Sequence, residues 1–239
     1  GPNSVLNTIV AESLDFIATE LEKSTKAGKD LHKAIQEVLL GIIKENKKVL
    51  FNGDGYSEEW HKEAEKRGLP NLRTTTDALP VIIRKDSIEL FTKYKVYTEK
   101  ELQSRFVILC ENYVKTVKIE GKTAVLMAKG MILPAAIRYQ GEVANSVNAT
   151  KAAGVDNSAQ LEVLKNLTST ITDFQKALGH LEKALGEHPS GDEHAHATHA
   201  RDHILGNIVK LRAISDKLET MVADDHWPLP TYREMLFIK

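Results

Sequence analysis

Residues 98–154 read TEKELQSRFVILCENYVKTVKIEGKTAVLMAKGMILPAAIRYQGEVANSVNATKAAG, and the fold class depends on how this stretch is read. Thr98 followed three residues later by Glu101 is a helix-start signature, because each side chain can satisfy the other's free backbone N–H. Apolar residues then recur at helical spacing through Leu102, Phe106, Leu109, Tyr113, Val117, Ala124, Met127, Met131, Ile137, Ala144 and Val147. Gly154 stands where a left-handed residue would close the helix. Roughly 55 residues at about 1.5 Å each make a rod of about 80 Å over 98–153, too long to fold uncovered. Gly121 and Gly130 lie inside it, each costing about 1 kcal/mol against Ala, and Pro134 removes a hydrogen bond. The expectation is a long central helix kinked near Met131 to Pro134.

On the C-terminal side, Leu164, Leu167, Ile171, Phe174, Leu178, Leu181 and Leu185 alternate steps of three and four, a heptad seam. Ile204, Ile208, Leu211, Ser215, Leu218 and Val222 repeat it after a break rich in Gly, Pro and His. Residues 158–186 and 197–226 are therefore expected to form an antiparallel coiled-coil hairpin, packed on itself or along the rod. The tail, 227–239, begins Trp227-Pro-Leu-Pro and ends with Phe237 and Ile238; its prolines bar a helical start and its apolar content favours docking.

On the N-terminal side, residues 3–23 carry Val5, Leu6, Ile9, Val10, Leu14, Ile17 and Leu21 on one broad face. Gly28 separates this helix from a second, residues 30–48. Val49 to Phe51 is a brief extended run before the Asn52-Gly-Asp-Gly55 turn, and Ser57 caps a short polar helix from Glu58 to Arg67. Residues 69–80 read as irregular, and a further short helix covers 87–95. With no strand ladder in the pattern, the fold class is all-α: a long kinked central helix, a coiled-coil hairpin and flanking helices. We divide the chain into a leading helix, residues 1–27, and a helical domain, residues 28–239. Gly1-Pro2 reads either as a remnant of tag cleavage or as native sequence inside a longer protein, and the chain is treated as a fragment.

Composition narrows the function classes. The 239 residues are 42% apolar and 27% charged, with a net charge of −1, which argues against nucleic acid and anionic membranes as partners. No apolar run is long enough to span a bilayer. Cys110 is the single cysteine, so no internal disulfide forms and a reducing, cytoplasmic setting is expected.

No constellation amounts to an active site. The Asn52–Ser57 turn mimics a phosphate-cradling loop but lacks its third glycine, and Leu50 occupies a position where a calcium loop needs a carboxylate. His188, His194, His196, His199 and His203 lie among Asp192, Glu193 and Asp202, and His199 and His203 have metal-ligand spacing. Their third ligand and its supporting groups are undefined, so no metal is assigned to them. Cys110 sits among apolar neighbours as a buried small hydrophobe. Glu58, Glu59 and His61 read as a solvated helix face. Catalytic, cofactor-binding and metal residues are all assigned as none.

Several longer blocks carry a resemblance. They are Phe51-Asn-Gly-Asp-Gly-Tyr-Ser-Glu-Glu-Trp60 with its continuation to Leu72, Glu111-Asn-Tyr-Val-Lys115, Ile132-Leu-Pro-Ala-Ala-Ile-Arg-Tyr-Gln140 and Trp227-Pro-Leu-Pro-Thr-Tyr-Arg233. Together they closely resemble the C-terminal part of type III glutamine synthetases, and residues 1–12 resemble the segment with which that family leaves its catalytic core. The resemblance implies ATP-dependent ligation of glutamate and ammonia to glutamine, with Mg or Mn, in stacked hexameric rings in the cytoplasm. It places the reacting glutamates and arginines upstream of Gly1. On that reading these residues are a non-catalytic helical fragment serving subunit packing or access to the active site, partnered by the rest of the synthetase chain and by neighbouring subunits. Gly121, Gly130 and the His-rich stretch from His188 to His203 depart from the family pattern. The alternatives are a stand-alone coiled-coil interaction module with an exposed seam and, resting on the histidines alone, a metal-responsive bundle. The leading helix is expected to leave apolar surface bare and to drive self-association of the isolated chain.

Overall fold

The computed structural model describes residues 1–236; Phe237 and Ile238 of the tail lie outside the described residues. Among these the chain is all-α and has no strand. It divides into two compact units, residues 1–108 and 109–239.

The first unit opens with α1 (Pro2–Lys26) and α2 (Leu31–Asn46), which pack on each other as a hairpin. Gly28, at φ +83°, makes the turn between them, where a Cβ would be strained, and the Asp30 carboxylate accepts the N–H groups of His32 and Lys33 to cap α2. A 3-10 turn at Lys47–Val49 takes up the start of the expected extended run. Next come α3 (Glu58–Lys66) and α4 (Thr75–Ala78), the latter continuing as a 3-10 stretch, Leu79–Ile83. Residues 75–80 are thus helical where the sequence reads as irregular chain. Thr74 begins α4 by accepting the N–H of Asp77, and Pro80 fits the first turn of the 3-10 stretch, where no N–H is needed. The next helix, α5, runs Lys85–Lys93 and packs on α1.

Helix α6 (Glu99–Met127) starts as the sequence indicates. The Thr98 hydroxyl accepts from Glu101 N–H, and the Glu101 carboxylate accepts from Thr98 N–H at 2.8 Å. Helical structure then persists to Ala152, through a π turn at Ala128–Ile132 into α7 (Leu133–Ala152). The π turn is how the chain accommodates Pro134: Leu133 N–H reaches back five residues to the Ala128 carbonyl, and the wider turn relieves the proline ring's clash. Leu109, Met127, Met131 and Ile137 of the expected stripe are exposed, the first two ahead of the π turn, while Val147 of that stripe is buried together with Ala128, Ile132 and Ala136; past the turn the inserted residue shifts the helix phase. Gly154, at φ +71°, closes α7 as expected.

The second unit's core is built on α8 (Ser158–Gly186). Its seam residues Leu167, Ile171, Phe174, Leu178 and Leu181 are buried in one cluster with Val117 and Ile132 on one side and Ile204, Leu211, Leu218 and Val222 on the other. The returning arm is α9 (Glu193–His199), a second π turn at Ala200–Leu205, and α10 (Gly206–Glu219). It therefore begins earlier and ends sooner than 197–226. Because α8 packs on both α7 and α10, the seams are consumed in a three-helix core, and an open seam for recruiting partners is not favoured. Trp227 is buried and Leu229 packs against that core, so the start of the tail is docked; α11 (Tyr232–Met235) comes last, and Met235 and Leu236 are exposed.

Gly121 is explained by this packing. A methyl at Gly121 would lie 3.0 Å from Ile204 Cγ2 and 3.0 Å from Leu185 Cδ2, so the missing side chain is what lets the returning arm come close. Gly179 in α8 faces open space. Gly121→Val is therefore expected to destabilise the chain by about 2 kcal/mol through overpacking, whereas Gly179→Ala gains up to about 1 kcal/mol of helix propensity. Chemical denaturation of the two variants checks both signs.

Candidate functional site

The turn at Asn52–Ser57 is occupied by its own chain. Asp54 Oδ1 accepts from Tyr56 N–H at 2.9 Å, and the Ser57 hydroxyl donates to the Asp54 carbonyl at 2.7 Å while accepting from Trp60 N–H. Gly53 is needed because the Phe51 ring folds over it: a Cβ there would lie 2.7 Å from two ring carbons. Phe51 in turn stacks on Trp60, with centroids 4.5 Å apart and planes at 27°. Arg67 completes the knot. Its Nε pairs with Glu63 at 2.6 Å, its Nη1 donates to the carbonyls of Leu50 (2.7 Å) and Lys48 (3.2 Å), and its guanidinium lies 5.7 Å from the Trp60 ring centroid. The Arg67 hydrogen bond holds the Glu63 carboxyl below its ordinary range. This motif is a structural lock, and the N–H groups of Tyr56 and Ser57 are directed to Asp54.

Nor do the neighbouring titratable groups converge. Glu58 pairs with Arg73, whose hydrogen bond is the main cause of its lowered pKa, and His61 Nδ1 lies 3.1 Å from Asn71 Oδ1. Glu59 is exposed. Cys110 is fully buried, and burial pushes its thiol up, away from the thiolate a nucleophile needs.

At the tip of the α8–α9 hairpin, Asp192 is used as the cap of α9, accepting from Ala195 N–H at 2.9 Å. His199 Nε2 lies 3.0 Å from Glu187 Oε2 and its ring is 4.7 Å from that of His203. The His199 contact is the leading cause of a lowered Glu187 pKa. Arg201 pairs with Asp202 at 2.7 Å. Among the described residues no three His, Cys, Asp or Glu side chains gather in a group able to hold a metal ion. The His199–Glu187 pair instead spans the hairpin turn.

The second unit also holds a cavity of about 540 Å³, lined by Met127, Ile132, Phe174, Leu211, Trp227 and Leu229 among others. Its walls are predominantly apolar; Glu120, Asp216 and Glu219 reach it, as do Thr123, Ser215 and Arg212, the last pairing with Asp216 at 3.7 Å. The Trp227 Nε1–H beside it is buried without a hydrogen-bond partner among the described residues.

Over this region the tail is held by a contact that no local pattern signals. His226 Nε2 lies 2.8 Å from Glu142 Oε1 on α7, and its Nδ1 lies 3.2 Å from Asp225 Oδ1. With carboxylates at both ring nitrogens, Asp225 first and Glu142 second, the imidazole is held above its ordinary pKa.

These arrangements define an all-helical domain in which rings, caps and ion pairs lock local structure among the described residues. The chain belongs to the glutamine synthetase C-terminal domain family, which matches residues 34–151. It is 34% identical to the type-3 glutamine synthetase of Dictyostelium discoideum over 100% of this chain and 33% of that relative. It is 34% identical to a glutamine synthetase of Butyrivibrio fibrisolvens over 90% of this chain and 31% of the relative. A glutamine synthetase of Bacteroides fragilis is 27% identical over 98% of this chain and 33% of its own length. The chain spans about a third of the length of these relatives.

The locks can be tested by substitution and by pH. Arg67→Ala removes two bonds to carbonyls and the Glu63 pair, and is expected to lower unfolding free energy by about 2 kcal/mol; Tyr56→Ala, at a fully exposed ring, stays within about 0.5 kcal/mol. Because the folded protein raises the His226 pKa, the stability this residue adds is complete below about pH 6.5 and is lost as pH rises through the raised value. The melting-temperature gap between wild type and Glu142→Gln should be widest near pH 6 and close toward pH 9.

Proposed function

We propose that this chain is the non-catalytic helical part of a glutamine synthetase, an enzyme joining glutamate and ammonia to give glutamine with consumption of ATP. The observation that supports it is a contrast. The relatives are named as synthetases and are about three times as long, while the described residues of this third gather no group of His, Cys, Asp or Glu side chains able to hold a metal ion. ATP and Mg or Mn belong to the parent reaction. Among the described residues no group of three His, Cys, Asp or Glu side chains could hold a metal ion, and we assign the chemistry of ATP and the divalent ion to the rest of the synthetase polypeptide.

The partners of the domain are the remainder of the synthetase chain and neighbouring subunits of a ring-shaped homo-oligomer. Its work there is to pack subunits or to shape access to the active site. A cytoplasmic setting accords with a free, buried Cys110 and with the absence of any described helix long and apolar enough to cross a membrane. Assayed by itself for γ-glutamyl transfer, the 239-residue chain should show no turnover above the uncatalysed rate, and turnover would overturn the non-catalytic reading.

A further inference from the structure

Helix α1 packs with the wrong face inward for a free-standing domain. An amphipathic surface helix ordinarily buries its apolar stripe and shows its polar face to water. Here the buried residue of α1 is Thr8, whose hydroxyl donates to the Ser4 carbonyl of its own helix at 2.7 Å. Asp15, on the same side one helical repeat later, is the residue that reaches α5: it accepts from the Tyr94 hydroxyl at 2.6 Å and pairs with Lys93 at 3.3 Å. The apolar arc lies on the other side. Leu6, Val10 and Leu14, at steps of four, are 57%, 55% and 61% exposed, and Val5, Ile9 and Phe16 beside them are exposed as well. Toward the hairpin turn Ile17 and Leu21 of α1 are half-buried, and α2 buries Ala34 and half-buries Ile35, Val38 and Ile42 while leaving Leu39, Leu40 and Ile43 in the open.

Exposed apolar side chains on two helices that pack as a hairpin mark an interaction site. The relatives indicate what covers it. The Dictyostelium relative aligns over the whole of this chain, α1 included, and carries about twice as much polypeptide again. The C-terminal domain match, by contrast, begins only at residue 34, so α1 lies outside the portion recognised as that domain. We propose that the exposed apolar arc of the α1–α2 hairpin is the docking face for the remainder of the synthetase polypeptide, and that α1 is shared between the helical domain and the body it serves. This rests on the reading of the chain as part of a glutamine synthetase and adds to it the surface through which the two parts meet.

The test compares hydrogen exchange in the 239-residue chain with exchange in the longer synthetase polypeptide that carries it. Amides of α1 and α2 are expected to exchange at least about a hundredfold more slowly in the longer polypeptide, and lysine cross-links from Lys23, Lys26 and Lys44 to run to residues outside these 239. Leu6→Asp with Leu14→Asp should return the exchange to the rate of the isolated chain, while Val209→Asp, at an exposed position of α10, leaves it slow. Equal exchange in both contexts overturns the proposal. So do cross-links confined to the hairpin of a second copy, which would make the face a self-association surface. The two levels of inference fail separately. A longer polypeptide that makes no glutamine removes the synthetase reading; one that makes glutamine while α1 and α2 exchange freely removes only the docking face.

Discussion

Burial of the α8 seam from both sides is the constraint on which the second unit depends. Phe174, Leu167 and Leu181 have essentially no solvent exposure, and they achieve it only because α7 covers one flank and α10 the other. A two-helix hairpin would leave one side of each ring and branch in water, and a single 29-residue helix would leave nearly all of it. The close approach this demands explains the other peculiarities of the unit. Gly121 is bare so that Leu185 and Ile204 can fit, and the two π turns rotate α7 and α10 so that the right residues face inward beyond them. Trp227 and Leu229 then close the end of the same cluster.

What the sequence made legible was whatever a short window can encode. The reciprocal bonds of Thr98 and Glu101, the Ser57 cap, the left-handed Gly154 and the three-four alternation from Leu164 onward are all interactions between residues within a few turns of one another. Each is present in the structure. The π turns were not legible as such, since Pro134 and Gly130 signal a disturbance without saying whether the chain bends or inserts a residue. The inserted residue is what misplaced Met131 and Ile137, because a stripe read at constant period cannot register a change of phase. Threonines and prolines make 69–80 read as irregular, yet Thr74 as a cap and Pro80 in a first turn are helix-starting residues in those positions.

Of the candidate sites, the negative assignments came from spacing, and the structure shows the positive use of the same residues. Asp54, Ser57 and Gly53 are needed to seat Phe51 on Trp60, and Asp192 is needed to begin α9. Glu63 and Arg67, one helical turn apart, were open to detection as a pair, but nothing local indicates that Arg67 also reaches the carbonyls of Lys48 and Leu50. Glu142 and His226 are 84 residues apart, and only a folded chain brings them together.

The distribution of polar and apolar surface carries the functional argument further than any single group. A domain that acted alone would be expected to hide Leu6, Val10 and Leu14 before it hid Thr8, since burying an aliphatic side chain is worth about 1.5–3 kcal/mol and burying a hydroxyl is at best neutral. The α8 seam obeys that order; along Leu6, Val10 and Leu14 of α1 it is reversed. Within one chain, then, the α8 core hides its apolar side chains, whereas the α1–α2 hairpin holds Leu6, Val10, Leu14, Leu39, Leu40 and Ile43 outward. Under the docking proposal, that outward apolar arc is the surface the remainder of the synthetase polypeptide covers.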